Sequence, residues 1–347
     1  MGKSRAATVF LGILALVALG AVFKAAKGVI LPLVVAWLLS YLFSPLVRFL
    51  ERKRIPPSLS IAAIIVTFLG VCFQSVAFMY DKIMLFANAF PRYYSRLMGL
   101  VNAAGENFGI PPGFWQNFDL GPKIASYLLG LPASAATLLM NLFLVMIFLV
   151  FILLGAPYLE YKLRYALSPD TAEKVQKAID SVSHQIGRYL STLFFISLST
   201  GICVWLALAL LRVDFAVTWG VLAFVLNFIP TLGSIAASIP PVLVALVKSY
   251  PSLGHPLVVA TALLVIQVTI GNIITPKLMG DRLNLSPVGV LVFLLFWGWL
   301  WGIPGALLAV PIAATTRIIC ENVDSLAFIG VMMGSGKNFK KNLTAAS

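Results

Sequence analysis

Asn227, Pro230, Thr231, Gly233 and Ser234 crowd into the run FVLNFIPTLGS, inside an otherwise apolar stretch. A carboxamide and two hydroxyls offer neutral donors and acceptors. Pro230 lacks a backbone donor and breaks a helix, which frees carbonyls. A second polar concentration follows, with Gln267, Asn272, Thr275, Pro276, Lys277 and Gly280. Its helix is expected to stop at Pro276, with Lys277 favourable near the carbonyl end. Such groups suit binding of a polar solute or a monovalent cation. Asp214 is the titratable residue beside the first break, and hence the candidate for ion coupling. The alternative is an interfacial ion pair with Arg212.

Catalytic constellations are missing. There is no HExxH zinc motif and no GxxxxGK[ST] phosphate loop. The histidines, His184 and His255, lie at the flanks of apolar stretches, so neither is placed to activate Ser234. No apolar stretch carries a central carboxylate, and Gly280-Asp281 lacks the preceding glycine of an aspartyl GxGD motif. Cys72, Cys203 and Cys320 form no CxxC, so a disulfide frame or zinc site is not expected. The reading is no enzyme, no cofactor and no metal.

The elements that must position the polar groups are apolar helices. The chain is 60% hydrophobic and 11% charged, against about 25% charged in an average soluble protein. Stretches 6–23, 28–47, 59–80, 134–155, 189–211 and 256–275 approach or exceed the roughly 18 residues of a spanning helix. The first resembles a signal peptide but has too long an apolar core, and is read as a retained span. Blocks 215–247 and 286–316 are too short for two straight crossings and too long for one, so each is expected to fold back on itself. The expected fold is all-α: a polytopic integral membrane protein with about six full spans and two broken or re-entrant hairpins.

The two blocks resemble each other. Offsets of about 70 residues match Gly220 with Gly289, Phe224 with Phe293, Gly233 with Gly302 and Pro241 with Pro311. Paired broken hydrophobic segments point to a transporter's binding site. In that reading Asn227 faces a solute path across from Gln267 and Asn272. In the alternative it only hydrogen-bonds a neighbouring helix.

With both termini placed in the cytoplasm, seventeen of the 25 Lys and Arg fall inside. Four fall in short outer loops and four in 81–133, which matches the positive-inside rule. The organisation expected is 1–80, N-terminal spans; 81–133, an extracytoplasmic amphipathic insert; 134–211, spans with a cytoplasmic helical loop 156–188; 212–316, the broken-hairpin transport region; and 317–347, a cytoplasmic tail. Ser168 and Pro169 should start the cytoplasmic helix. The net charge of +13 flanks helix ends, so the partner is the lipid bilayer and not nucleic acid. Small residues in the first span (Gly12, Ala15, Gly20, Ala21) suit a homo-oligomer.

The motifs FVLNFIPTLGS (224–234), NIITPKLMG (272–280), LSP (285–287) and GIPGALLAVP (302–311), in that order, resemble the AI-2E transporter family. These are permease-like membrane proteins of bacteria and archaea, and the likeness runs over nearly the whole chain. It implies a transporter or permease and does not fix the substrate; the expected function is export of a small polar solute, such as the autoinducer-2 quorum signal, across a bacterial inner membrane. A monovalent cation/proton antiporter is the alternative within the family, and a non-transporting scaffold the alternative outside it. Asn227, Pro230, Gly233, Pro241, Asn272, Pro276, Lys277, Gly280 and Pro287 match the family pattern.

Overall fold

The computed structural model describes residues 2–107, 120–229, 232–279, 285–321, 323 and 326–334. Every regular element among them is helical, beside one isolated antiparallel bridge between Leu285 and Gly334. The helices are α1 (Gly2–Ala25), α2 (Lys27–Arg52), α3 (Pro57–Asn107), α4 (Leu120–Ala166), α5 (Pro169–Leu210), α6 (Ala216–Leu226), α7 (Leu232–Ser249) and α8 (Gly254–Val268). A π-helix (Thr269–Ile274) leads into α9 (Thr275–Met279); α10 (Pro287–Trp301), α11 (Ile303–Glu321) and α12 (Ala327–Met333) follow.

Seven helices among the described residues are long and apolar enough to cross a membrane, and α6 and α10 are shorter apolar helices. Val66, Phe73, Phe143, Phe151 and Leu264 are each more than 60% exposed. A soluble monomer does not leave apolar surface bare on this scale. These side chains are the lipid-facing surface of an all-α, polytopic integral membrane protein.

Both broken blocks appear as pairs of helices. Block 215–247 becomes α6 and α7, of 11 and 18 residues. Block 286–316 becomes α10 and α11, of 15 and 19 residues. The break in the second falls at Gly302, whose φ of 73° is costly for any residue with a Cβ. Three other helices, α3, α4 and α5, run longer than a span requires. α3 has 51 residues, so the apolar stretch 59–80 and the first part of 81–133 share one helix. α5 likewise joins the polar stretch after Ser168 to the apolar 189–210. Pro169 opens it, and the Ser168 and Thr171 hydroxyls lie 2.8 Å apart at its start.

The chain divides into two compact units. One comprises residues 1–65, 140–191 and 281–347. Its apolar cluster joins Leu38 of α2, Val182 and Ile186 of α5, and Ile318 of α11. Trp301 is fully buried, and its indole N–H donates to the Phe23 carbonyl at 3.3 Å. Ser286 caps α10 by accepting from the Gly289 amide at 2.9 Å, with Pro287 in the first turn.

The other unit comprises residues 66–139 and 192–280. Its core holds Val204 and Leu208 of α5, Trp219 and Ala223 of α6, Ala237 and Ala245 of α7, and Val259 and Leu263 of α8. Phe86 of α3 packs edge-on against Trp219, with centroids 4.9 Å apart. Gly201 and Gly220 let α5 and α6 approach: a Cβ on Gly201 would lie 2.8 Å from the Gly220 carbonyl oxygen. Small residues give this closeness in membranes, where packing replaces the hydrophobic drive between helices.

Candidate functional site

Asn227 stands where α6 ends. Its backbone N–H still reaches the Ala223 carbonyl at 3.0 Å, and its Nδ2 donates to the Ser197 hydroxyl of α5 at 3.0 Å. Ser197 is completely buried. The sequence reading passed over Ser197. Its signal was spacing: Ser197 and Gly201 share one face of α5, and Gly220, Phe224 and Asn227 share one face of α6.

After Asn227 the chain turns through Phe228 and Ile229, whose amides bond back to the Val225 and Leu226 carbonyls. Gly233 then passes so close that a Cβ would sit 1.8 Å from the Leu226 carbonyl oxygen. Ser234 is half-buried, and its carbonyl accepts from the Ser238 hydroxyl at 2.8 Å. Pro230, Thr231 and Gly280 lie outside the described residues.

The second concentration departs from expectation at Pro276. The helix does not stop there; α8 widens into a π-helix over 269–274 and continues as α9 through Pro276 to Met279. The physical reason is local. Proline removes one donor and crowds the carbonyl four residues back. The wider turn relieves that crowding, and the Thr275 hydroxyl donates to the Ile270 carbonyl at 2.7 Å. Thr275 therefore serves the backbone. Asn272, Pro276 and Lys277 are exposed and Gln267 is half-buried. Neither Asn272 nor Gln267 has a hydrogen-bond partner among the described residues. No hydrogen bond among those residues joins Asn227 or Ser234 to Gln267 or Asn272.

Asp214 does not pair with Arg212. It holds Lys248 of α7 at 2.6 Å and accepts from the Tyr93 hydroxyl of α3 at 2.6 Å. Trp219 Nε1 donates to the Asp214 carbonyl at 3.0 Å, and His255 Nε2 donates to the Leu211 carbonyl at 2.8 Å. Four helices thus tie down the α5–α6 turn, where Arg212 and Phe215 adopt positive φ. Adjacent charges in sequence suggested Arg212; the true partners are distant in the chain.

Burial of the Asp214 carboxyl favours its neutral form, but the hydrogen bonds from Lys248 and Tyr93 outweigh it. The pKa is lowered from the ordinary 3.8. The carboxylate therefore stays ionised at neutral pH. A depressed pKa gives stability that is fully present above the ordinary value and lost as pH falls through the folded one. Acidification below about pH 4 should thus lower the melting temperature of the wild type more steeply than that of Asp214→Asn. Scanning fluorimetry of both proteins between pH 7 and 3 checks this; parallel curves would refute the pairing.

The chain matches the sequence profile of the AI-2E family transporters over residues 11–325. A Borreliella burgdorferi protein named "Putative transport protein" is 31% identical over 335 residues, covering 96% of this chain and 92% of that protein. The AI-2 transport protein TqsA of Escherichia coli is 32% identical over 332 residues, covering 94% of each chain. A Haemophilus influenzae protein with the same name as the Borreliella one is 31% identical over 345 residues, covering 95% of this chain and 97% of that protein.

Proposed function

Because the chain belongs to the AI-2E family of transporters, we propose that it exports a small, neutral, polar solute across the bacterial inner membrane, along a path bordered by the π-helix. The observation that carries this is Asn272. It lies in the apolar segment Gly254–Leu278, is exposed, and is unpartnered among the described residues. A carboxamide left unpaired in hydrocarbon costs about 4–8 kcal/mol. Facing an aqueous path removes that cost, and π-turns inside helices occur frequently at functional sites. Gln267, a little over one turn earlier, adds a second carboxamide. Asn227 and Ser234, with Gly233, Thr275, Pro276 and Lys277, shape the path as backbone and framework.

A carboxamide offers donors as well as an acceptor, which suits a solute that both gives and takes hydrogen bonds better than a cation, which can use the oxygen alone. The name of the TqsA relative makes autoinducer-2 the first cargo to try. Purified protein in liposomes, loaded with autoinducer-2 or a panel of small polyols and sugars, should release the cargo faster than empty liposomes. Release equal to protein-free controls for every solute would reject the reading. The antiporter alternative requires Asp214 to exchange its proton near neutral pH. Transport that needs an imposed proton gradient, and loses that need in Asp214→Asn, would favour the antiporter.

Both termini are proposed to be cytoplasmic, with 81–133 on the other side. In a cysteine-free background, Arg54→Cys should label from the cytoplasmic face and Ser126→Cys from the outer face. Labelling of Ser126→Cys from the cytoplasm alone would invert the topology.

A further inference from the structure

We propose that the groove between α2, α5 and α11 in the first unit holds an acyl chain of an anionic phospholipid, with the lipid phosphate on Lys174. The groove measures about 380 Å³, within the roughly 300–1,000 Å³ typical of small-molecule sites. Its walls are apolar: Trp37 and Tyr41 of α2, Val175 and Ile179 of α5, Ile319 of α11, and Val323 beyond the end of α11. One charged side chain lines it, Lys174.

Three of the neighbouring acids are engaged elsewhere, and the fourth, Asp170, one turn before Lys174, makes no ion pair with it among the described residues. Glu173 holds Lys177 at 2.6 Å, Asp180 accepts from Gln176 at 3.2 Å, and Glu321 holds Arg317. Lys174 has no acidic partner among the described residues. An apolar slot with one unneutralised cation at its edge selects a long apolar chain ending in an anion. Lysine suits the boundary because its stem lies along apolar surface while its ammonium reaches polar groups.

Charge also separates the occupants. The C-terminal segment 335–347 carries Lys337, Lys340 and Lys341, so Lys174 repels it. A zwitterionic phospholipid brings its own cation beside Lys174; an anionic one does not. The attraction of one lysine for an anionic lipid surface corresponds to about fivefold in affinity.

The test uses the full-length protein in mild detergent, with phosphatidylglycerol or phosphatidylcholine of identical acyl chains. Native mass spectrometry reads retained lipid, and melting temperature reads folding. The expected result is about fivefold greater retention of phosphatidylglycerol. Lys174→Gln should erase that preference and Lys174→Arg restore it. Val175→Trp should fill the groove and remove the same adduct; Ile179→Trp is the second filler if Val175→Trp lowers the melting temperature. Equal retention of the two lipids would overturn the proposal, as would a preference that survives Lys174→Gln. So would an adduct indifferent to both fillers, displacement by glycerol 3-phosphate alone, or a dimer that the fillers dissolve.

Discussion

Gly233→Ala and Gly305→Ala are each expected to destabilise the protein by more than about 3 kcal/mol, beyond the usual 1–3 kcal/mol for overpacking a core. The obstacle is the main chain. A Cβ on Gly233 would lie 1.8 Å from the Leu226 carbonyl oxygen, and one on Gly305 would lie 2.0 Å from the Trp297 carbonyl oxygen. A side chain in the way can change rotamer; a carbonyl inside a helix cannot move without opening the hairpin. Gly70→Ala and Gly12→Ala are the controls, since nothing lies within 4 Å of a Cβ at either position. Both should be neutral or slightly stabilising, because alanine exceeds glycine in helix propensity by about 1 kcal/mol. Melting curves of the four detergent-solubilised variants decide it. Wild-type melting by the two crowded variants would mean that the helix pairs are not closed as described.

The two asparagines should behave differently. Asn272→Leu removes a carboxamide that has no partner among the described residues, so the melting temperature should hold or rise. Transport per folded molecule should fall by roughly 5- to 150-fold, the equivalent of losing one hydrogen bond to a solute in an apolar-walled path at about 1–3 kcal/mol. Asn227→Leu breaks the bond to buried Ser197. Such interhelical bonds average about 0.6 kcal/mol and reach about 1.7 kcal/mol in membranes. Its main effect should be a lower melting temperature, with a smaller loss of transport, and Ser197→Ala should reproduce it. Uptake and melting measured on the same preparations separate the two roles. Full transport by the Asn227→Leu/Asn272→Leu double variant would sink the solute-path proposal.

Apolar length and Gly/Pro punctuation made the spans and the two broken blocks legible in the sequence. Both signals are local, and both report backbone physics directly. What escaped depends on partners distant in sequence. Lys248 reaches Asp214 across 34 residues and Tyr93 across 121, and no spacing rule points to either. Ser197 was hidden for a related reason, since a buried hydroxyl on a long apolar helix, like that of Thr200 beside it, looks like any packing residue. Sequence matched Gly233 with Gly302, yet the glycine crowded by a carbonyl in the second pair is Gly305, and Gly302 is the residue with positive φ. Identity aligns residue types, whereas the fold assigns the two glycines different duties. Polar side chains also do not end helices by themselves. The boundaries drawn at 80/81 and 188/189 fall inside the continuous α3 and α5 for that reason.

The 51 residues of α3 make a rod of about 76 Å at 1.5 Å per residue. The hydrocarbon of a bilayer is about 30 Å thick. About half of that rod or more must therefore stand in headgroups or water, even at a tilt of about 40°. A rigid rod fixed partway along is a lever. A rotation of about 10° about one end carries the other through about 13 Å at this length, which exceeds the width of a helix. The rod also has one compliant joint. Pro91 takes the hydrogen bond away from the Ala87 carbonyl, and bending concentrates where such a bond is missing. Force applied at the far tip of α3 would thus be felt first at 87–91, within two turns of Tyr93 and its grip on the Asp214 turn.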